Sequence, residues 1–126
     1  MREETFNIPF EMLVRRVVPR KGTPYEHTCS MRVYEYVALA IEHQAGAPFT
    51  AESIRDYIMS IPDNGDAPLS QVAVAMAFLK ERGCIVPADK RRHHAASNWV
   101  HEDALVEWHA LREGSPGSAA ARGEVV

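Results

Sequence analysis

PLSQVAVAMAFLKERGCIV, residues 68–86, decides how the rest of the chain is read. Val72, Ala75, Met76 and Leu79 recur at i, i+3, i+4 and i+7, which is one face of a 3.6-residue period, so a helix of about a dozen residues with that face in the core is predicted. Gly83 supplies the left-handed residue that closes a helix, and Cys84-Ile85-Val86 then begins a short apolar strand. Ala73, Val74, Ala77 and Phe78 make much of the opposite side apolar as well, so the helix is expected to be covered on two sides.

The length of 126 residues allows one domain with a single core. A hydrophobic share of 46% beside a charged share of 25% places the chain among ordinary globular proteins. No apolar run approaches the roughly 18–20 residues that span a bilayer, and MREETFNIPF lacks the pattern of a signal peptide, so a cytoplasmic protein is expected. Cys29 and Cys84 form no CxxC pair and are read as reduced, small apolar residues. The net charge of -3 argues against a surface built wholly for nucleic acid. Its distribution matters more: Lys90, Arg91 and Arg92 face only Asp89 within residues 83–100, whereas residues 49–82 are acidic on balance.

Taken in order, residues 1–27 read as an N-terminal arm. In PFEMLVRRVV, Phe10, Leu13, Val14 and Val17 suit a short helix between Pro9 and Pro19, although an extended strand would use the β-branched valines equally. A helix follows to about His43, with Tyr34, Val37, Ala38 and Ile41 as its stripe, Thr28 or Ser30 as its cap, and Gly46 with Pro48 at its end. Thr50 caps a second helix carrying Ile54, Tyr57 and Ile58, and SIPDNGDAP at 60–68 is a turn. After the organising helix, Ile85 and Val86 start a hairpin whose polar tip is PADKRRHHAAS, with Asn98, Trp99 and Val100 as the return strand. A last helix places Ala104, Leu105, Trp108 and Leu111 inward. Residues 28–113 thus form the folded unit, and 114–126 a tail without an apolar stripe.

This order resembles the winged helix-turn-helix superfamily over roughly residues 30–100, chiefly through Val72, Ala75, Met76, Leu79 and Gly83-Cys84-Ile85-Val86. The resemblance implies a fold that is mainly α with a small β-hairpin: a three-helix core plus a wing, extended by the N-terminal segment and a C-terminal helix. It also implies a DNA-binding or regulatory module. By position, Ser70, Gln71, Ala73, Val74 and Ala77 would face the groove of DNA, while Lys90, Arg91, Arg92, His93 and His94 would occupy the wing. Of the groove residues, Ser70 and Gln71 carry groups that hydrogen-bond base edges.

The bland reading of KRRHH at 90–94 is a solvated hairpin tip, weighed evenly against phosphate contact. Cys84, His93, His94 and His101 match no zinc spacing, and no metal or cofactor is expected. No phosphate loop, nucleophile elbow or carboxylate pair is present, so a binding module rather than an enzyme is expected. Trp99 and Trp108 are read as core or core-edge aromatics. Leu13, Val14 and Val17, with Ala73, Val74, Ala77 and Phe78, need cover, and a homodimer or protein partner is the expected source. The alternative function is accordingly a protein-interaction or assembly module in which the apolar third helix is the docking face.

Overall fold

A computed structural model of the chain describes residues 2–114. The order is β1 (Glu3–Asn7), β2 (Met12–Val18), β3 (Tyr25–Ser30), α1 (Met31–His43), α2 (Ala51–Met59), α3 (Leu69–Glu81), β4 (Ile85–Pro87), β5 (His93–Ala95) and α4 (Val100–Arg112). The architecture is mixed α/β rather than mainly α: a three-stranded antiparallel sheet, four helices, and a hairpin after α3. Apart from Gly114, the expected tail at 114–126 lies outside the described residues.

The N-terminal segment is the main correction. Instead of an arm with a short helix, residues 3–30 form the sheet β1-β2-β3, with Leu13 opposite Cys29 and Val17 opposite both Glu4 and Tyr25. Leu13 and Val17 are four apart, a spacing that one helix face and one strand face share; what decides is the antiparallel pairing of this segment with β1 on one side and β3 on the other. Leu13 and Val17 are wholly buried and Arg15 between them is half-buried, bound to Glu4 at 2.6 Å through its Nε. The β-branched valines then favour the extended form.

Between β1 and β2 the chain reverses through Phe10 (φ 55) and Glu11 (φ 58), two consecutive left-handed residues as a type I′ turn requires. Neither type favours that region, and Phe10 recovers nothing by burial, being 98% exposed. Replacing it with an Asn, which tolerates the left-handed region, is expected to raise the unfolding free energy by about 1 kcal/mol in urea denaturation.

The helix boundaries follow from local chemistry. Ser30 caps α1, its hydroxyl accepting from Val33 N at 3.2 Å; Thr28, the other candidate, lies within β3. Thr50 and Ser53 form a reciprocal capping box on α2. Gly83, at φ +79, ends α3 as its sequence predicts.

Core packing is continuous through four layers. Phe6 of β1 meets Phe78 of α3 (ring centroids 5.4 Å apart), Phe78 meets Tyr34 of α1 (6.0 Å), and Tyr34 meets Trp108 of α4 (4.8 Å). The Tyr34 hydroxyl donates to Ala104 O at 2.6 Å, which satisfies the one polar atom of that ring; burial, ahead of neighbouring charges, pushes its pKa well up. Cys29 and Cys84 are buried thiols outside any disulfide, and burial pushes the Cys29 thiol up to about 12, against a smaller opposing pull from Arg32.

The return strand of the hairpin lies earlier than its sequence suggests. β5 is His93–Ala95, and Trp99 and Val100 instead open α4, leaving Trp99 64% exposed rather than at the core edge. Tertiary pairing sets this register. His93 exchanges both backbone hydrogen bonds with Phe49, at 2.8 and 2.9 Å, so the hairpin is pinned to the connection between α1 and α2. Among the described residues no helix is long and apolar enough to cross a membrane.

Candidate functional site

The sheet, α1, α2 and the hairpin all meet around helix α3. Its inner stripe, Val72, Ala75, Met76 and Leu79, is buried as its period predicts. Val74 (1% exposed) and Phe78 (0%) are equally closed, yet no partner closes them: the N-terminal sheet of the same chain does. Leu13 and Val17, the sheet residues expected at an interface, lie in that intramolecular core, and Val14, between Asn7 and Thr28 on the neighbouring strands, is 9% exposed. The cover that periodicity demanded therefore comes from within the chain.

Two of the longer polar side chains of this region are committed to this packing. Gln71 Oε1 accepts from Ser30 N at 2.9 Å, which ties α3 to the junction of β3 and α1. Arg82 lies over the Phe78 ring, 5.0 Å from its centroid, and donates to Glu107 Oε1 at 2.8 Å. α3 still presents to solvent a stripe of Ser70, Ala73, Ala77 and Lys80, spaced at i, i+3, i+7 and i+10, with Glu81 exposed beside its end.

Ala73, Ala77 and Lys80 of this stripe form one wall of a groove of ≈ 340 Å³, whose other walls are the start of α2 (Ala51, Glu52) and the hairpin (Lys90, Arg91, His93), with Met76 also lining it; Ser70 lies outside the lining. The Phe49–His93 pairing is what brings the hairpin there. Three cations, Lys80, Lys90 and Arg91, face one carboxylate, Glu52. Glu81, next to Lys80 but toward Glu4 of β1, has its pKa raised, first by partial burial and then by Glu4, with Arg82 pulling the other way.

The remaining hairpin residues behave differently. The Asp89 carboxylate accepts from Arg92 Nε at 2.7 Å and from the backbone N of Arg91 and Arg92, so it closes the tip; the Arg92 guanidinium holds it below the usual carboxylate range. Arg92 is thus engaged within the loop. His94 places Nδ1 3.0 Å from Ala95 O and does not line the groove, whereas His93 does, as alternation along a strand dictates. Ser70 is exposed at the head of α3.

His93 is the titratable group whose state this packing sets. Its Nδ1 is buried without a hydrogen-bond partner, and burial first, then the Lys80 charge, lowers its pKa. The unfolded chain therefore takes up the proton first. The stability gained by holding the ring neutral is present above about pH 6.5 and is lost as the pH falls through the lower folded value. An NMR titration is expected to place His93 below the ordinary value of about 6.5, and Lys80→Gln to return part of that shift.

Lys80 and the start of α2 are site residues that reading the motif from the sequence missed. Lys80 was legible, lying three residues beyond Ala77 on the same face. The place of Ala51 and Glu52 was not, because a tertiary contact brings α2 to the hairpin. Among the described residues no group of His, Cys, Asp and Glu is placed to hold a metal ion. No family model, curated protein or solved structure matches this chain.

Proposed function

We propose that the protein is a nucleic-acid-binding regulatory module with a winged-helix-like arrangement, and that it binds through the groove between α3, the start of α2 and the β4–β5 hairpin. The observation that carries the reading is the convergence of Lys80 from the helix with Lys90 and Arg91 from the hairpin on one open groove. Phosphate binding is dominated by such cations, and a helix presenting small residues lets a backbone come close to it. The order α1, α2, α3, hairpin, with the hairpin paired to Phe49 ahead of α2, supports the winged-helix comparison. In this reading the hairpin is the wing and α4 is an added strut.

The competing assembly-module reading drew its motive from an apolar docking face on α3. Val74 and Phe78 are buried under the chain's own sheet, so of that face only Ala73 and Ala77 stay open, and the net charge of -3 is what else favours that reading.

The test is fluorescence anisotropy with a labelled DNA duplex across a salt series. Wild-type protein is expected to bind with a steep salt dependence, and the Lys90→Gln/Arg91→Gln double variant to flatten the log–log slope by about two, near 0.9 for each phosphate no longer neutralised. Absence of binding at low salt, or a slope unchanged in the double variant, would sink the proposal.

A further inference from the structure

Resting on that reading, we infer that the groove takes duplex DNA by its sugar-phosphate backbone without reading its sequence. Direct readout needs side chains that hydrogen-bond base edges, above all Arg, Lys, Asn and Gln held free on the exposed face of the docking helix. Of the two groove residues equipped for base edges, Gln71 is spent elsewhere and Ser70, though exposed, lies outside the groove lining; the nearby Arg82 is also engaged. Gln71 is fastened to Ser30 N, and Arg82 to Glu107 and the Phe78 ring. The middle of the open stripe is Ala73 and Ala77, whose methyl groups give contact without a donor or acceptor.

The cations sit at the margins: Lys80 at the C-terminal end of the helix, Lys90 and Arg91 on the hairpin tip. Charge placed at the rim and small residues at the centre suit two phosphate runs flanking a groove that is approached closely but not interrogated. A single strand is the poorer ligand. Sequence-tolerant binding of single strands depends on aromatic platforms for the bases, and Ala51, Glu52, Ala73, Met76 and Ala77 line the groove beside its cations, with His93 as the one ring among the described residues that line it. The positive rim on a groove with one carboxylate is the complement of a duplex backbone, which carries one charge for every ~1.7 Å of axis.

The experiment competes a labelled duplex against unlabelled duplexes of random sequence, the best sequence recovered by in-vitro selection, the matching single strand, and an RNA duplex, all at one salt concentration. The inference expects random and selected duplexes to compete within about threefold, far less than the roughly 10³-fold or more that separates specific from non-specific sites, with the single strand at least about tenfold weaker. Ala77→Leu adds bulk without charge at the half-buried centre of the stripe; it is expected to weaken duplex binding at least about fivefold while leaving the salt slope, which counts phosphates, unchanged. A selected duplex that wins by about a hundredfold would overturn sequence indifference while leaving the binding function standing. A single strand or RNA duplex that competes as well as DNA duplex would overturn the choice of ligand. Unchanged affinity in Ala77→Leu, with its circular dichroism intact, would overturn docking on the α3 stripe. Failure of every nucleic acid to bind would remove the functional reading itself.

Discussion

Phe78→Ala is expected to lower the unfolding free energy by about 3–5 kcal/mol, the range for emptying a wholly buried aromatic site. The ring is 0% exposed and stands where the sheet, α1 and α3 meet, touching Phe6 on one side and Tyr34 on the other, with the Arg82 guanidinium over it. Its neighbours belong to different elements and cannot all collapse into the void, so the cavity term adds to the lost transfer term. Phe6→Ala, which removes a ring already partly in water, is expected to cost only about 1–2 kcal/mol. Urea denaturation of both variants checks the pair. A Phe78→Ala protein as stable as the Phe6→Ala one would show that the sheet is not held to the helices through this ring. The Phe78 loss is also expected to weaken the near-ultraviolet dichroism of Tyr34 and Trp108, whose rings lie next in the stack.

Arg82→Met is the second large effect, at about 3 kcal/mol of destabilisation, near the low end for breaking a buried ion pair. Glu107 is 1% exposed and bound to Arg82 at 2.8 Å. Removing the guanidinium leaves a buried carboxylate with its cation gone, which costs more than the pair's own net worth. The Arg82 side chain, 20% exposed, keeps some contact with water, and this moderates the expected figure. The double variant Arg82→Met/Glu107→Leu removes both charges and is expected to recover to within about 1 kcal/mol of the parent, because an apolar pair of similar size needs no compensation. Equal destabilisation of the single and double variants in urea would mean that packing over Phe78, not the carboxylate, carries the loss. The pair links the end of α3 to α4, two elements whose sequences give no sign of each other.

The helical part of the fold was legible because its signals are local. Thr50 and Ser53 cap α2 within four residues of each other, Ser30 caps α1, and Gly83 ends α3, each through contacts formed by neighbours along the chain. The three β-strands before α1 were not legible, since Leu13 and Val17 satisfy both periods and their partners Cys29 and Tyr25 become known only on folding. The hairpin register failed for a similar reason: pairing with Phe49, not the apolar pattern of 98–100, selects 93–95 as the second strand. Of the candidate site, Lys90 and Arg91 were identified from a charge run, whereas the diversion of Gln71 from its expected groove-facing role depends on a contact made across the fold.

The sequence by itself determined that residues 69–81 form a helix needing cover on two sides, because apolar side chains at every turn of both faces cannot be left in water. It also placed a basic hairpin directly after that helix. Only the tertiary structure decided what supplies the second cover. Periodicity says that a face must be buried but carries no information about its partner, and that partner is brought in from 41 residues away, where Ser30 N meets Gln71. By closing Val74 and Phe78 under β1, β2 and β3, the fold leaves Ser70, Ala73, Ala77 and Lys80 as the open face of α3. The helix that organises the core thus keeps a narrow stripe, small at its centre and charged at one end, with Glu81 exposed beside it, to meet anything outside the chain.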